Sequence, residues 1–445
     1  MSKRIIIIGG GPAGIEAAKG AARHGADVTI VSNAPIGGRA GWHSLLPSKV
    51  WLTVAETLGY FHEADAVGIV DVPVVSPEPE TVLARLHQIK EAWNAQQQQE
   101  LADLGVSIVS GTAVFAAPER LELHDKDGSV TGEMTADAFI VTSGSVPIFP
   151  PNMKPNGKGI IAPRFAGALR VLPKSMVVVG GGATGSEYAY LFNRLGLEVT
   201  WVVDHQGILP EFDAEVAPFL QKALEKQGIR IVAGQMASEI EDQGDRVVVT
   251  LVDSTKIKAD MAFLAIGRRP DVSDLNLAAT GLTVVNGTVP VDEYGRSARD
   301  HIYFAGDVTG APMIANRAMA QAWTAGRHAA GDDVSGFQLN TMIGAVYTEP
   351  QVAQIGRLDS TTVQVPYAAG LKGHLLPESG FVKLGYDSEN GRLTGGVAVG
   401  HHAADLLAPL VVAMKAEMNI YDLGMLYSAH PSLSELLFIA ARLAK

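Results

Sequence analysis

The first strongly apolar run of the chain, Ile5 to Ile8, ends abruptly in three glycines; a helical stretch follows, and then a second β-branched run that closes at Ser32. The same order returns later. Met176 to Val179 is apolar, Gly180 to Gly182 breaks the run, a helical stretch follows, and a second apolar strand ends at Val203. In each copy a further glycine, Gly25 or Gly196, stands at the same interval past the first glycine of the turn. Apolar runs this short and continuous suit strands buried on both faces of a parallel sheet. Strand, glycine turn, helix and strand together make the β-α-β unit of a doubly wound nucleotide-binding domain, present twice.

Between the copies lies a polar stretch, Glu80 to Leu104, whose run Gln96 to Gln99 reads as the solvated face of a helix. Strands are expected around Val106 to Val114 and Ala138 to Val141. The segment Thr142-Ser143-Gly144-Ser145-Val146-Pro147 then ends a strand in small residues, as a close approach of backbone to a cofactor requires. Strand and turn signals continue to Gly267-Arg268-Arg269-Pro270, and another strand ends at Ala305-Gly306-Asp307. From about Gln338 short strands alternate with amphipathic helices up to the apolar stretch Leu433 to Leu443, which predicts a separate C-terminal α+β domain.

Composition narrows the function. At 445 residues the chain exceeds one ordinary core. A net charge of −12 argues against broad nucleic-acid binding, which needs a basic face. No apolar run approaches the roughly 20 residues that span a bilayer, and no targeting segment is expected, so the reading is a cytoplasmic protein. Cysteine is absent. That rules out structural disulfides, thiolate nucleophiles and cysteine-ligated metals; the scattered histidines, His401-His402 included, have no metal-ligand spacing, and no metal site is predicted.

The glycine turns carry the chemistry. In Gly9-x-Gly11-Pro12-Ala13-Gly14 the first glycine permits the tight turn and the second lets a pyrophosphate touch backbone. The third lets helix and strand pack closely, with the helix N-terminus facing the phosphates. Gly180, Gly182 and Gly185 repeat the arrangement. An acidic residue normally ends the second strand to hold ribose hydroxyls. Here Ser32 and Val203 stand at those positions. Ser32 with Asn33 is expected to hydrogen-bond a ribose more weakly, and Asp204 to serve the second site, where it would repel a 2′-phosphate and favour NADH over NADPH.

In this order the motifs resemble the pyridine nucleotide-disulfide oxidoreductases, the family of dihydrolipoamide dehydrogenase, glutathione reductase and mercuric reductase. The resemblance runs through the glycine fingerprint at Gly9, Gly37-Gly38 to Pro47-Ser48-Lys49, and Ser143-Gly144-Ser145-x-Pro147. It continues through Gly180 to Glu187, Gly267-Arg268-Arg269-Pro270 and Phe304-Ala305-Gly306-Asp307-Val308. Tyr347-Thr348-Glu349-Pro350 and His430-Pro431-Ser432-Leu433-Ser434-Glu435 complete it. It implies an α/β fold with two Rossmann-like dinucleotide-binding domains and a C-terminal α+β dimerisation domain. The FAD domain would be split over residues 1–155 and 270–335, with an NAD(P) domain at 156–269 and a dimerisation domain at 336–445 that makes a homodimer.

One departure falls at the centre of the family's chemistry. Ala40 and Leu45 stand where members carry the two cysteines of the redox disulfide, so disulfide, lipoamide or mercuric reduction by the family mechanism has no sulfur to use. Other parts are kept. The resemblance implies that Lys49 pairs with Glu187 beside the flavin, where a cation stabilises the reduced, anionic ring. Gly38, Arg39, Ser143, Gly144, Gly267, Arg268, Gly306 and Asp307 would line FAD, with Asp307 on its ribityl chain. His430 and Glu435 match the acid-base dyad that each subunit lends its partner, with Ser428 where the family has a preceding histidine.

The expected function is therefore an FAD-dependent NADH oxidoreductase delivering electrons to a non-disulfide small-molecule acceptor such as a quinone. Trp42 and His43 either line a pocket for that acceptor or fill space beside the flavin. Two other readings are an electron-relay or structural subunit working with a redox partner protein, and a nicotinamide nucleotide transhydrogenase.

Overall fold

A computed structural model of the chain describes residues 2–359, 361–377 and 379–445. The chain divides into two compact units, one made of Met1–Pro47, Leu83–Ile148 and Gly267–Gln338, the other of Ser48–Val82, Phe149–Ile266 and Leu339–Lys445.

In the first unit, strand β1 (Arg4–Ile8), helix α1 (Pro12–Ala22) and strand β2 (Asp27–Ser32) form the expected β-α-β element. β1 lies at the centre of a five-stranded parallel sheet, flanked by β2 and by Ala138–Val141, with Ile8 opposite Val31 and Val141. Ser107–Ser110 and Ile302–Phe304 complete its edges. Ile5 and Ile7 point to a face covered by the alanine-rich helices α1 and Ala315–Ala330; Ile6 and Ile8 point to the other face, toward Phe115, Phe139 and Leu121. The period of two in a fully apolar strand thus feeds two cores at once. Residues 106–114, apolar throughout much of their length, are divided at Gly111: Ser107–Ser110 joins the parallel sheet and Thr112–Ala117 opens a three-stranded antiparallel one.

The second unit repeats the element as β3 (Ser175–Val179), α2 (Ala183–Arg194) and β4 (Glu198–Val203) in a second five-stranded parallel sheet. Its chain then turns to a five-stranded antiparallel sheet of Gly344–Val346, Gln351–Gly356, Thr361–Pro366, Phe381–Tyr386 and Leu393–Gly400. Leu410, Leu436, Leu437 and Ala440 from the terminal helices pack into one apolar core with Val382, Leu384 and Ala398 of that sheet. The last helix, α3 (Glu435–Arg442), accounts for the apolar stretch read between Leu433 and Leu443.

Candidate functional site

The first glycine turn is built as a cradle. Gly9 has φ +112°, and a Cβ there would lie 2.6 Å from the Thr142 carbonyl oxygen. A Cβ on Gly14 would lie 1.9 Å from the Gly9 carbonyl oxygen, so helix α1 reaches β1 only because both positions are glycine. At Gly11 an added Cβ would meet nothing within 4 Å: here the backbone borders open space, at the N-cap of α1, where no side chain takes the first amides. Pro12 opens the helix and Ala13 is buried behind it. Open space against exposed amides is what a pyrophosphate requires, and the residues present fit a dinucleotide.

Around this cradle the other expected residues converge within the same unit. Gly38, with φ +55°, packs against Gly11, where its Cβ would sit 2.8 Å from the Gly11 Cα. Gly306 abuts Ala13 in the same way, at 3.1 Å. Beside it, Asp307 Oδ2 accepts a 2.5 Å hydrogen bond from Ser145 Oγ, and Arg268 Nε donates to the same hydroxyl oxygen at 2.8 Å. Burial lowers the pKa of Arg268, with Asp307 opposing the shift. Arg39 donates to the Ser143 carbonyl and to Asp271 Oδ2, both at 2.6 Å. Burial alone would raise the Asp271 carboxyl, but hydrogen bonds from Arg39 and Ser273 outweigh it and hold the group below its ordinary value. Gly144 and Gly267 both take positive φ, +76° and +111°, in these strand ends.

At the end of β2 both residues expected at the ribose already hold a hydrogen bond within the protein. Ser32 Oγ turns inward and donates to the Ala34 carbonyl at 2.8 Å, and Asn33 Nδ2 donates to Thr112 Oγ1 at 3.2 Å. Ser32 thus stabilises its own turn, and Asn33 ties that turn to the strand Thr112–Ala117.

Residues 40–45, which span the family's cysteine positions, form a π-helical turn leading into helix Leu46–His62. Trp93 fills the space beside this turn: a Cβ on Gly37 would lie 2.3 Å from its ring and one on Gly41 2.9 Å. Trp42 Nε1 donates to the Ile36 carbonyl at 2.8 Å. Sequence reasoning passed over Trp93; its signal was the pair of glycines four residues apart, which leaves room for a large ring.

The second unit presents the same cradle. Gly180 has φ +122° with a Cβ position 2.2 Å from the Ala265 oxygen, Gly185 would clash with the Gly180 oxygen at 1.9 Å, and Gly182 faces open space at the N-cap of α2. Asp204 follows β4, half-buried, with Oδ1 accepting the Gln206 amide at 3.0 Å.

Lys49 and Glu187, remote in sequence, are brought together in this unit. Lys49 Nζ lies 2.9 Å from Glu187 Oε1 and 3.0 Å from Oε2. The Tyr347 amide donates to Glu187 Oε1 at 3.1 Å, and Lys49 Nζ sits 4.2 Å from the centroid of the Tyr347 ring. The lysine side chain is 35% exposed and the carboxylate 11%.

His430 and Glu435 also meet. Glu435, in the first turn of α3, accepts from His430 Nδ1 at 2.7 Å to Oε1 and 3.0 Å to Oε2, and from the Ser432 amide at 3.3 Å. The His430 hydrogen bond holds the Glu435 carboxyl below its ordinary value. The imidazole is 66% exposed, so its Nε2 side is turned outward from the pair. Ser428 pairs with Ser432 through their hydroxyls at 3.0 Å. Among the described residues no cluster of three or more histidines, aspartates or glutamates has the placement to hold a metal ion, and no helix is long and apolar enough to cross a membrane.

Two dinucleotide cradles, a lysine-glutamate pair and an outward-facing histidine dyad define a two-nucleotide oxidoreductase with an added C-terminal domain. The description of the pyridine nucleotide-disulphide oxidoreductases matches residues 3–322, and that of their dimerisation domain residues 342–441. The chain belongs to this family, whose members depend on FAD and NAD(P)H, and it is an FAD-dependent NAD(P)H oxidoreductase by that membership. The dimerisation domain supports a homodimer. The chain is 30% identical to an NAD(P)H dehydrogenase (quinone) of Mycobacterium tuberculosis, over 99% of this chain and 94% of that protein. Dihydrolipoyl dehydrogenase 2 of Haloarcula marismortui is also 30% identical, with 99% and 96% covered. The crystal structure of LpdA from Mycobacterium tuberculosis superposes with a TM-score of 0.92 at 30% identity, covering 99% of both chains. The flavoprotein disulfide reductase RclA of Escherichia coli shares the fold, with a TM-score of 0.85 at 21% identity.

Proposed function

We propose that this protein oxidises NADH and passes the electrons to a small acceptor that is not a disulfide, a quinone being the favoured class. The observation that carries the reading is the contrast between positions 40 and 45, occupied by alanine and leucine, and the intact Lys49–Glu187 pair at 2.9 Å. A relative of similar length bears the name NAD(P)H dehydrogenase (quinone), which supports the acceptor class.

When bound, FAD would supply the two-electron exchange that links nicotinamide to acceptor. Gly9, Gly11, Gly14, Gly38, Arg39, Ser143, Gly144, Arg268, Gly306 and Asp307 hold it in this reading, with the amides of α1 toward its phosphates. Gly180, Gly182 and Gly185 hold NADH, and Asp204 takes its ribose and disfavours a 2′-phosphate. Lys49 places a positive charge where negative charge develops, and Glu187 keeps that ammonium in place. Overall, NADH, one proton and a quinone give NAD⁺ and a quinol, so protons must reach the acceptor. His430 would relay that proton: as the imidazolium, with Nδ1–H held by Glu435, it gives up the Nε2 proton to the acceptor and is reprotonated from solvent. A cytoplasmic location fits this donor.

The relay reading is favoured by one feature, the serine at position 32, already bonded to Ala34 while Asn33 is bonded to Thr112, which leaves the FAD ribose without a carboxylate partner at this strand end. Anaerobic titration with NADH separates the two. Bleaching of the flavin band by one equivalent, followed by reoxidation with a quinone, is the expected result; a yellow protein that NADH does not bleach would favour the relay. For the mechanism, Lys49→Ala is expected to slow flavin reduction about a hundredfold with FAD still bound. An unchanged rate would remove Lys49 from the transfer.

A further inference from the structure

Lysine carries four rotatable bonds, and a single carboxylate partner leaves much of that freedom intact. Around Lys49 a second constraint is present. The Tyr347 ring lies 4.2 Å from Nζ on one side, while the amide of the same residue donates to Glu187 Oε1 on the other. One residue therefore touches both members of the pair, the cation through its side chain and the anion through its backbone. Its backbone is itself fixed from both directions. Strand Gly344–Val346 ends immediately before it, with Val346 paired to Val352, and Thr348 after it is buried with Oγ1 donating to the Pro350 carbonyl at 2.6 Å. Core filling does not explain the ring, which stays partly exposed, with a relative accessibility of 39% for the residue.

We infer that Tyr347 is a positioning residue for the Lys49–Glu187 pair, its ring face fixing the ammonium by a cation–π contact and its amide fixing the carboxylate. The inference rests on the reading that this pair serves electron transfer. The ring face is the active element, since a phenol and a phenyl ring present the same negative face to a cation. The hydroxyl stays protonated: burial raises its pKa, and the nearby Glu187 carboxylate raises it further. Any substitution other than proline preserves the amide bond to Glu187, so side-chain variants isolate the ring.

The test uses the FAD-loaded full chain as wild type, Tyr347→Leu, Tyr347→Phe and Lys49→Ala. Anaerobic stopped-flow reduction over a range of NADH concentrations separates the limiting rate from half-saturation. The flavin reduction potential and a crystal structure of each variant report on the ammonium directly. For Tyr347→Leu the limiting rate should fall about fivefold, the magnitude of one partly exposed cation–π contact, with half-saturation unchanged. The potential should fall with it, and Lys49 Nζ should leave its place against Glu187. Tyr347→Phe should restore all of these to within about twofold.

A wild-type limiting rate and potential in Tyr347→Leu, with Lys49→Ala slow, would overturn the inference alone. A fast Lys49→Ala would overturn the reading beneath it. A Tyr347→Leu variant whose defect lies in half-saturation, or one that Tyr347→Phe shares, would show that the ring binds nucleotide or that the hydroxyl acts, and would also overturn it. Should Tyr347→Leu fail to fold, Tyr347→Met carries the same expectations.

Discussion

The two glycine cradles share geometry but differ at the strand that follows. Gly9 and Gly180 both take positive φ against a carbonyl oxygen of the neighbouring strand, Gly14 and Gly185 both stand where a Cβ would meet the first glycine's oxygen at 1.9 Å, and Gly11 and Gly182 both border open space. Several side chains after these glycines also agree, Glu16 with Glu187 and Arg23 with Arg194 among them. At the end of the second strand the first unit has Ser32, folded back on Ala34, and the second has Val203 followed by the carboxylate of Asp204. Phosphates are met by backbone, which any sequence supplies once glycines permit the approach. Ribose is met by side chains, and there the two units have separated. In the proposed reading the cradle receives the pyrophosphate, and the strand end contributes to which nucleotide is held and how firmly.

The largest expected effect breaks one cradle and spares the other. Gly14→Ala drives a methyl into the Gly9 carbonyl, a backbone atom with no rotamer in which to retreat. Overpacking of this kind costs roughly 2–3 kcal/mol, so FAD affinity should fall about a hundredfold and the protein should purify largely colourless. Gly185→Ala makes the same clash with Gly180 and should leave the protein yellow while raising the NADH concentration needed for bleaching by a similar factor. Loss of flavin from Gly185→Ala with retention in Gly14→Ala would reverse the assignment of the two sites.

A smaller effect is expected at the second strand end. Asp204 Oδ1 is taken by the Gln206 amide, so the carboxylate is held in a fixed orientation. A hydrogen bond from a ribose hydroxyl to an ionised acceptor contributes about 1.5–3 kcal/mol, discounted here because the group is half-buried. Asp204→Ala should therefore raise half-saturation by NADH about tenfold with little change in limiting rate. The discrimination against NADPH should narrow as well, because the repelling charge is gone. Unchanged preference between the two nucleotides would move the specificity element elsewhere.

The pattern of apolar runs and glycines was enough to place both β-α-β elements, because a short buried strand followed by a close helix leaves few alternatives to glycine. Strand Ala138–Val141 was legible from its apolar run, and the helix Pro79–Asp103 from the polar stretch with its glutamine run. Less legible was whatever depended on contacts between distant segments. The stretch 106–114 is split between two sheets at Gly111, which no local periodicity announces. Trp93 fills the site beside the π-helical turn from a helix whose composition looks solvated throughout. Tyr347 was visible as part of a family motif, yet its contacts with Lys49 and Glu187 arise only when the strand before it and the helix carrying Glu187 are packed. The lysine-glutamate and histidine-glutamate pairs could be named from the resemblance. That one is braced by a third residue and the other is turned outward could not.

The most demanding test of the comparison gives the first strand end what the second already has. Ser32→Glu would place a carboxylate where the FAD ribose is expected, at the cost of the Ser32 hydroxyl's bond to the Ala34 carbonyl and its acceptance of the Ala34 amide. Each neutral bond lost costs roughly 1 kcal/mol, while a charge-assisted pair with the ribose returns about 1.5–3 kcal/mol. Room is tight on one side: a methyl on Gly10 would lie 3.1 Å from Ser32 Oγ, so the new side chain must extend away from that glycine. The lost bonds are missing from the free and the bound variant alike and cancel from the binding equilibrium; the ribose pair, discounted for the crowding at Gly10, should tighten FAD binding by about 1 kcal/mol, or roughly fivefold in the dissociation constant. Calorimetry of apoprotein with FAD measures it, with circular dichroism confirming that the variant is folded. A folded variant that binds FAD no better would mean that the geometry of the turn, and not the residue it carries, sets the strength of the first site. The difference between the two strand ends would then be one of backbone after all.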